Sequence, residues 1–241
     1  MNRTRPMTWR LLATAGLLAS QVACLDLEHH VHVHRSGAVD YALRLGLDAK
    51  YANGPFAKPA EERDREWKAH VPAASAQYVD AHVEQTPDTV WLVIDAALPD
   101  VGAYDVFRDG FIKLYETDHK SNPLFYPPVV ERSLGSYVVR ADVGASEEQF
   151  EIPPDAKIGT NTWRLIVTGD AEVKPSIGAL ASDGGRTATF ERPLLDVAKE
   201  GTFAEVSVPG SGNTMMFVVV GGVLLLGLGA GVAAVVARRA A

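Results

Sequence analysis

Polar and apolar residues alternate along two neighbouring segments near the start of the chain, residues 25–34 and 39–47. Side chains of a strand point alternately to its two sides, so each segment predicts a strand with one buried face. The intervening Arg35-Ser36-Gly37 is typical of a turn. Together the two segments predict a β-hairpin.

Further apolar segments bounded by turn residues predict the other strands. They are residues 89–98, 111–115 after an Asp109-Gly110 turn, a hairpin over 129–142, and 162–168, 186–191 and 202–208. The predicted helices are one that opens at Pro59, a weaker one with the stripe Ala74, Tyr78 and Ala81, and a short one that carries Val101, Tyr104 and Phe107. The sequence therefore predicts an α+β fold, a mostly antiparallel β-sheet with two or three covering helices.

The C-terminal residues 215–237 carry no charge over 23 positions. A helix of that length is about 34 Å long, enough to cross a bilayer. Arg238 and Arg239 follow directly, and the positive-inside rule places residues 238–241 in the cytoplasm. We therefore expect a transmembrane helix at 215–237 after a flexible linker at 209–214. Gly227 and Gly231 form a Gly-x-x-x-Gly pattern that favours helix association, although such residues are common in all membrane helices.

The N-terminal residues 1–23 predict an export signal. Three arginines precede the uncharged residues 11–23, which at about 20 Å of helix are too short to span a bilayer. Cys24 follows directly, where bacterial lipoproteins carry an acylated cysteine, so lipidation of Cys24 is expected. Because Gln21 departs from that pattern, cleavage without acylation and an uncleaved anchor stay open. Export followed by the span leaves residues 24–214 outside a bacterial cytoplasmic membrane.

Composition narrows the class of the exported segment. All 30 acidic residues and 18 of the 23 Lys and Arg lie in residues 24–214, which leaves that segment at −12 within a chain of net charge −7. A strongly acidic domain argues against a nucleic-acid partner, which requires a basic face. The single cysteine excludes an internal disulfide framework. We expect one extracytoplasmic domain over residues 24–208.

Several features, taken in order, resemble the LppM-type mycobacterial lipoproteins and related bacterial membrane-anchored domains. They are Cys24-Leu-Asp-Leu-Glu with the Arg35-Ser-Gly-Ala-Val-Asp turn, Leu98-Pro-Asp-Val-Gly-Ala, Trp163-Arg-Leu-Ile-Val-Thr-Gly, Asp183-Gly-Gly-Arg-Thr-Ala-Thr and the terminal span. The resemblance implies a non-catalytic envelope protein, with lipid or glycolipid binding as the implied task. It supplies no motif residues that carry chemistry.

A histidine cluster, His29-His30-Val31-His32-Val33-His34, is the clearest chemical candidate. Because alternate residues of a strand share a face, His30, His32 and His34 are expected on one side, together with Asp26 and Glu28. Neutral imidazoles suit zinc or copper, so a metal site at these three histidines is one hypothesis. A pH-responsive surface is another. A solvated polar strand face that binds no cofactor explains the pattern equally well.

The proline-rich segment 122–128 offers a second candidate. Its residues Leu124, Phe125 and Tyr126 would contact lipid or a partner if exposed, or would fold back on the core as an ordinary loop closure. The sequence contains no Gly-x-Ser-x-Gly, no His-Glu-x-x-His, no phosphate loop and no dinucleotide motif. We therefore expect a protein that is not an enzyme.

The sequence thus predicts a membrane-anchored extracytoplasmic protein that binds a membrane lipid or another envelope component. A structural subunit of a membrane complex is the alternative, with self-association through the span or an envelope protein partner. An uncharacterised envelope enzyme or a metal binder at the histidine cluster comes third.

Overall fold

The computed structural model describes residues 25–49, 71–118, 122–145, 161–176 and 178–211, together with residues 61, 62, 65, 68 and 69. Within these residues the chain forms eleven strands, two α-helices and short 3-10 turns. The strands are β1 Leu25–Val33, β2 Val39–Asp48, β3 Val79–Gln85, β4 Thr89–Leu98, β5 Val129–Ser133, β6 Ser136–Val143, β7 Thr162–Gly169, β8 Lys174–Pro175, β9 Leu180–Ser182, β10 Thr187–Pro193 and β11 Thr202–Pro209. The helices are α1 Val101–Asp118 and α2 Leu194–Glu200.

The strands form two sheets. The larger has seven strands in the order β3-β4-β2-β1-β7-β10-β9, and the smaller has four in the order β5-β6-β11-β8. Strands β1 and β7 pair in parallel, whereas the other pairs in both sheets are antiparallel. The predicted α+β class is confirmed, with a mostly antiparallel arrangement and two α-helices among the described residues.

One continuous core joins the inner faces of both sheets and the buried face of α1. Strand β1 shows how the sequence builds it, since Leu27, His29, Val31 and Val33 are buried while Glu28, His30 and His32 lie on the opposite face. Strand β2 has the same pattern, and Val31 pairs with Tyr41 across the hairpin. The predicted hairpin is confirmed with a left-handed Gly37 in its turn.

The predicted strand at 111–115 is wrong, because helix α1 continues through it to Asp118. Tyr104, Phe107 and Phe111 recur at helical spacing, so a helix places the three rings on one face, where all of them are buried in the core. Gly110, expected in a turn, instead lies inside the helix. A Cβ at this position would approach within 2.8 Å of Pro72, so glycine permits the close contact between α1 and the Pro72 segment.

The predicted helical stripe Ala74, Tyr78 and Ala81 is also wrong. Residues Ala73–Ser75 form a single 3-10 turn, and strand β3 begins at Val79. Strand β3 pairs along its whole length with β4, which buries Ala81 beside Ile94. Long-range pairing with β4 therefore overrides a weak local helical pattern. The remaining predicted strands, including the 129–142 hairpin, are confirmed with shifts of one or two residues at their ends.

Four predictions fall on residues that the structure does not describe. They concern the export signal at 1–23, Cys24, most of the helix that opens at Pro59, and the span at 215–237 with Gly227 and Gly231. Among the residues that are described, no helix combines the length and apolar character needed to cross a membrane.

Candidate functional site

The outer face of the seven-stranded sheet carries most of the candidate chemistry, and we call it the histidine face. Strand β1 contributes Glu28, His30 and His32 to this face, and His34 follows at its end. Each of these histidine side chains is about one third exposed. The prediction that His30, His32 and His34 share a face is therefore confirmed.

His30 does not join the other two histidines in one cluster. Its Nε2 lies 3.0 Å from Glu28 Oε2, and Arg164 on β7 donates to the other Glu28 oxygen at 2.8 Å. The hydrogen bond with His30 lowers the pKa of Glu28, and the contact with Arg164 adds to this effect. Together they bring the pKa to about 2, although desolvation of the partly buried carboxyl opposes the shift. His30 and Arg164 thus clamp Glu28 as a carboxylate on the sheet surface.

His32 and His34 converge instead on Asp170, which directly follows β7. His32 Nε2 lies 3.1 Å from Asp170 Oδ1, and His34 Nδ1 lies 3.6 Å from the same oxygen. The two imidazole rings have centroids 4.2 Å apart. The backbone N–H of Arg35 donates to Asp170 Oδ2 at 2.9 Å, and this bond and His32 hold the pKa of Asp170 below its usual value. His34 Nε2 bonds to Asp40 at 2.8 Å.

A shallow concavity of about 550 Å³ opens on the histidine face beside this cluster. Its floor is apolar, formed in part by Ala42 and Ala97, and the partly exposed Tyr78 stands at one side. Polar groups surround the floor, and they are His30, His32, Asp40, Asp80, Asp95, Gln77 and Thr168. The concavity therefore presents three carboxylates around a small apolar surface.

Asp80 and Asp95 are paired directly across strands β3 and β4. Their neighbour His82 approaches Asp80 at 3.3 Å through Nδ1 and Glu84 at 3.3 Å through Nε2. Desolvation raises the pKa of Asp95, although His82 and Arg44 oppose that shift. Carboxylates that face each other in this way accept hydrogen bonds readily and repel anions.

His29 points the other way, into the core, and is 1% exposed. Its Nε2 donates to the Leu124 carbonyl at 2.9 Å, so its Nδ1 accepts from the Tyr41 hydroxyl at 3.0 Å. Burial lowers the pKa of His29 to about 4, although the bond to Leu124 works against that shift. The ring is thus held neutral and joins β1, β2 and the 122–128 segment.

The proline-rich segment packs back on the core. Leu124 is 1% exposed, Phe125 is partly buried against the core, and Tyr126 donates a hydrogen bond to Glu116 at 2.8 Å. Asn122 caps the turn by accepting from the Leu124 N–H at 3.2 Å. Leu124, Phe125 and Tyr126 therefore fold back on the core as a loop closure, which is one of the two interpretations that the sequence left open.

A second concavity lies between the sheets and is small, about 100 Å³. His29 and Trp163 line it together with Arg108, Arg140 and Asp142. Trp163 Nε1 is buried with no hydrogen-bond partner among the described residues. Pockets that hold drug-sized ligands measure roughly 300 Å³ or more, so this space does not accommodate a lipid tail.

The described domain ends beside the β5–β6 hairpin. Gly210 N–H donates to the Gly135 carbonyl at 3.1 Å, and Ser211 N–H donates to the Arg35 carbonyl at 2.9 Å. Leu134 at the hairpin tip is 89% exposed. The chain therefore leaves the domain between an exposed apolar tip and the turn that carries His34 and Arg35.

Sequence reasoning did not identify Asp40, Asp95 or Asp170 as site residues. Asp170 lies 136 positions after His34 and reaches it only because β7 pairs in parallel with β1. Asp40 pairs with His32 across the predicted hairpin, so the alternation of β1 and β2 could have identified it.

No protein-family model matches the sequence, and no curated protein matches it at a significant level. Among solved structures, the folded domain of LppM from Mycobacterium tuberculosis has a TM-score of 0.49 and 10% identity, covering 80% of this chain and 93% of that one. An M1 zinc metallopeptidase from Deinococcus radiodurans has a TM-score of 0.25 and 13% identity; the match covers 78% of this chain but 45% of the peptidase. The resemblance to the LppM-type domains that the sequence indicated is confirmed as a weak likeness of fold.

Proposed function

We propose that this chain is a non-catalytic, membrane-anchored binding protein of a bacterial envelope, whose histidine face binds a hydroxyl-rich, uncharged lipid headgroup. One observation carries the proposal. The exit of the chain at Ser211, the exposed Leu134 tip and the turn that carries His34 lie at the same end of the domain. The concavity beside His32 and Asp40 opens near that end.

The short distance between Ser211 and the predicted span supports the proposed membrane location. Three residues, 212–214, separate Ser211 from Met215, and four peptide steps reach at most about 14 Å. A helix that crosses the bilayer from residue 215 therefore keeps the Leu134 tip near the lipid surface. An exposed apolar side chain is stabilised by burial in that interface.

Acylation of Cys24 would add a second and distant anchor. Strand β1 has nine residues and is about 30 Å long, and the turn that directly follows it bonds to Ser211 through the Arg35 carbonyl. Leu25 at its other end directly follows Cys24. A chain that is anchored at both points must therefore lie with β1 along the membrane surface.

The lining of the concavity favours hydroxyl groups over phosphate. Asp40, Asp80 and Asp95 accept hydrogen bonds, while their charges repel an anionic headgroup. The Ala42 and Ala97 floor and the Tyr78 ring offer an apolar surface of the kind that packs against the C–H groups of a sugar ring. A sugar headgroup satisfies both requirements.

Native mass spectrometry of the full chain in detergent tests headgroup binding. We expect diglucosyl-diacylglycerol to be retained in preference to phosphatidylglycerol, and Asp95→Asn to reduce the retained fraction several-fold because an acceptor and its charge are lost. The matched control is Glu131→Gln, which changes an exposed carboxylate on the smaller sheet. Equal retention by the two variants, or preference for phosphatidylglycerol, would contradict the proposal. A stoichiometry above one chain would favour the structural-subunit alternative.

The position of the hairpin tip is tested by a tryptophan reporter in the full chain. In a Cys24→Ser background, which leaves the span as the anchor, Leu134→Trp in nanodiscs with brominated lipid should add fluorescence that the lipid quenches strongly. Phe203→Trp is the control, because Phe203 is 57% exposed but lies about 20 Å before the end of β11. Similar quenching of the two added tryptophans would refute a membrane contact at the tip.

A further inference from the structure

We propose that His32, His34 and Asp170 form a binding site for a divalent transition metal, with zinc or copper as the fitting ions. The three ligand atoms are His32 Nε2, His34 Nδ1 and Asp170 Oδ1, and all lie within 4.8 Å of one another. The metal site shares His32 with the lining of the concavity, but the inference does not rest on the membrane anchor or on headgroup binding, because its test uses the metal ion alone.

The spacing of the ligand atoms matches a metal centre. In a tetrahedral zinc site with bonds of 2.0–2.2 Å, neighbouring ligand atoms lie about 3.4 Å apart. Asp170 Oδ1 lies 3.1 Å from His32 Nε2 and 3.6 Å from His34 Nδ1. A metal ion between these atoms therefore requires only small side-chain movements. Three protein ligands leave a fourth position for water.

The surrounding hydrogen bonds orient the ligands. When neutral His34 donates from Nε2 to Asp40, its lone pair lies on Nδ1, which faces Asp170. Two acceptors then face each other at 3.6 Å, an arrangement that a cation stabilises. Asp40 thus acts on His34 as carboxylates act on the histidine ligands of zinc enzymes, and the Arg35 N–H fixes Asp170 in the same way.

The same geometry excludes His30 from this site. Its Nε2 is engaged by Glu28, and Glu28 is held on its other side by Arg164. The hypothesis of a site formed by His30, His32 and His34 is therefore replaced by one in which Asp170 takes the place of His30. His30→Gln becomes the matched control for a ligand substitution.

Calorimetric titration of the untagged, chelator-treated full chain with ZnCl₂ or CuCl₂ tests the proposal. We expect one ion per chain, an affinity lower by 100-fold or more in His34→Gln and in Asp170→Asn, and about 10-fold lower in Asp40→Asn. His30→Gln should leave the affinity unchanged. Near-ultraviolet circular dichroism verifies that each variant is folded.

The visible absorption of bound cobalt reports directly on the ligands of the ion. Substitution of a residue that only stabilises the fold would leave this absorption unchanged. Co²⁺ bound by His32, His34 and Asp170 should give visible absorption bands that disappear in His34→Gln and persist in His30→Gln. Absence of a stoichiometric site, or an equal loss of affinity in His30→Gln and His34→Gln, would overturn the proposal. The first result indicates a polar network without metal, and the second indicates diffuse binding along the strand.

Discussion

Acidification from pH 6.5 to pH 5 should lower the free energy of unfolding by about 2 kcal/mol through His29 alone. Burial depresses the pKa of the folded-state ring from 6.5 to about 4, so the unfolded chain binds more protons throughout that interval. The contribution of His29 is fully present above pH 6.5 and is lost progressively as the pH falls towards 4. The total loss is about 3 kcal/mol.

The groups around His29 support this assignment. Tyr41 donates to Nδ1 and the Leu124 carbonyl accepts from Nε2, so a second ring proton would face the Tyr41 hydroxyl as a donor. After desolvation, which is the largest cause, the charge of the neighbouring His30 also lowers the pKa of His29, whereas the hydrogen bond to Leu124 opposes the shift. The environment therefore disfavours the charged imidazolium.

A substitution isolates His29 from the other acid-sensitive groups. His29→Gln keeps an amide donor for Leu124 but does not titrate, so its stability should be lower than wild type at pH 7 and nearly flat between pH 6.5 and 4.5. Glu28, with its lowered pKa, loses its contribution mainly below pH 4.5 in both proteins. Chemical denaturation followed by tryptophan fluorescence measures the curves, and parallel curves would exclude His29 as the source.

The larger sheet could be predicted in part because its signals are local. The alternation in β1 and β2 identifies both the hairpin and its buried face, and the apolar centre of β4 identifies a strand. The division into two sheets and the parallel pairing of β1 with β7 could not be predicted, since they depend on contacts across more than 130 residues. Strand β3 was misassigned for the same reason, because its partner β4 decides its conformation.

The candidate site shows the same division between local and long-range information. Alternation placed His30, His32 and His34 on one face, as the structure has them. It could not distinguish His30, which bonds to Glu28, from His32 and His34, which meet Asp170. Nor did it identify His29 as a buried structural residue, since a histidine on the inner face needs partners such as Tyr41 and Leu124 that lie elsewhere in the sequence.

The substitution Phe111→Ala should lower the free energy of unfolding by about 3–5 kcal/mol. Phe111 is 3% exposed, its ring centroid lies 6.1 Å from that of Phe107, and it stacks on Tyr115 at 6.3 Å. Removing the ring leaves a cavity beside Phe107 and Tyr115. The surrounding side chains are closely packed, so they cannot move enough to fill it. Phe111→Leu keeps most of the volume and should cost about 1–2 kcal/mol, which keeps the measurement accessible if the alanine variant unfolds.

The matched control, Lys113→Ala, tests the helix itself. In a strand over 111–115, residues 111 and 113 would share a face and both substitutions would affect the same packing. In helix α1 they are two positions apart, about 200° around the helix axis, and so lie on different faces; Lys113 is exposed. Lys113→Ala should therefore change the free energy of unfolding by no more than about 0.5 kcal/mol. Comparable losses in Phe111→Ala and Lys113→Ala, measured by urea denaturation of the full chain, would contradict the helix and restore the strand that the Asp109-Gly110 pattern predicts.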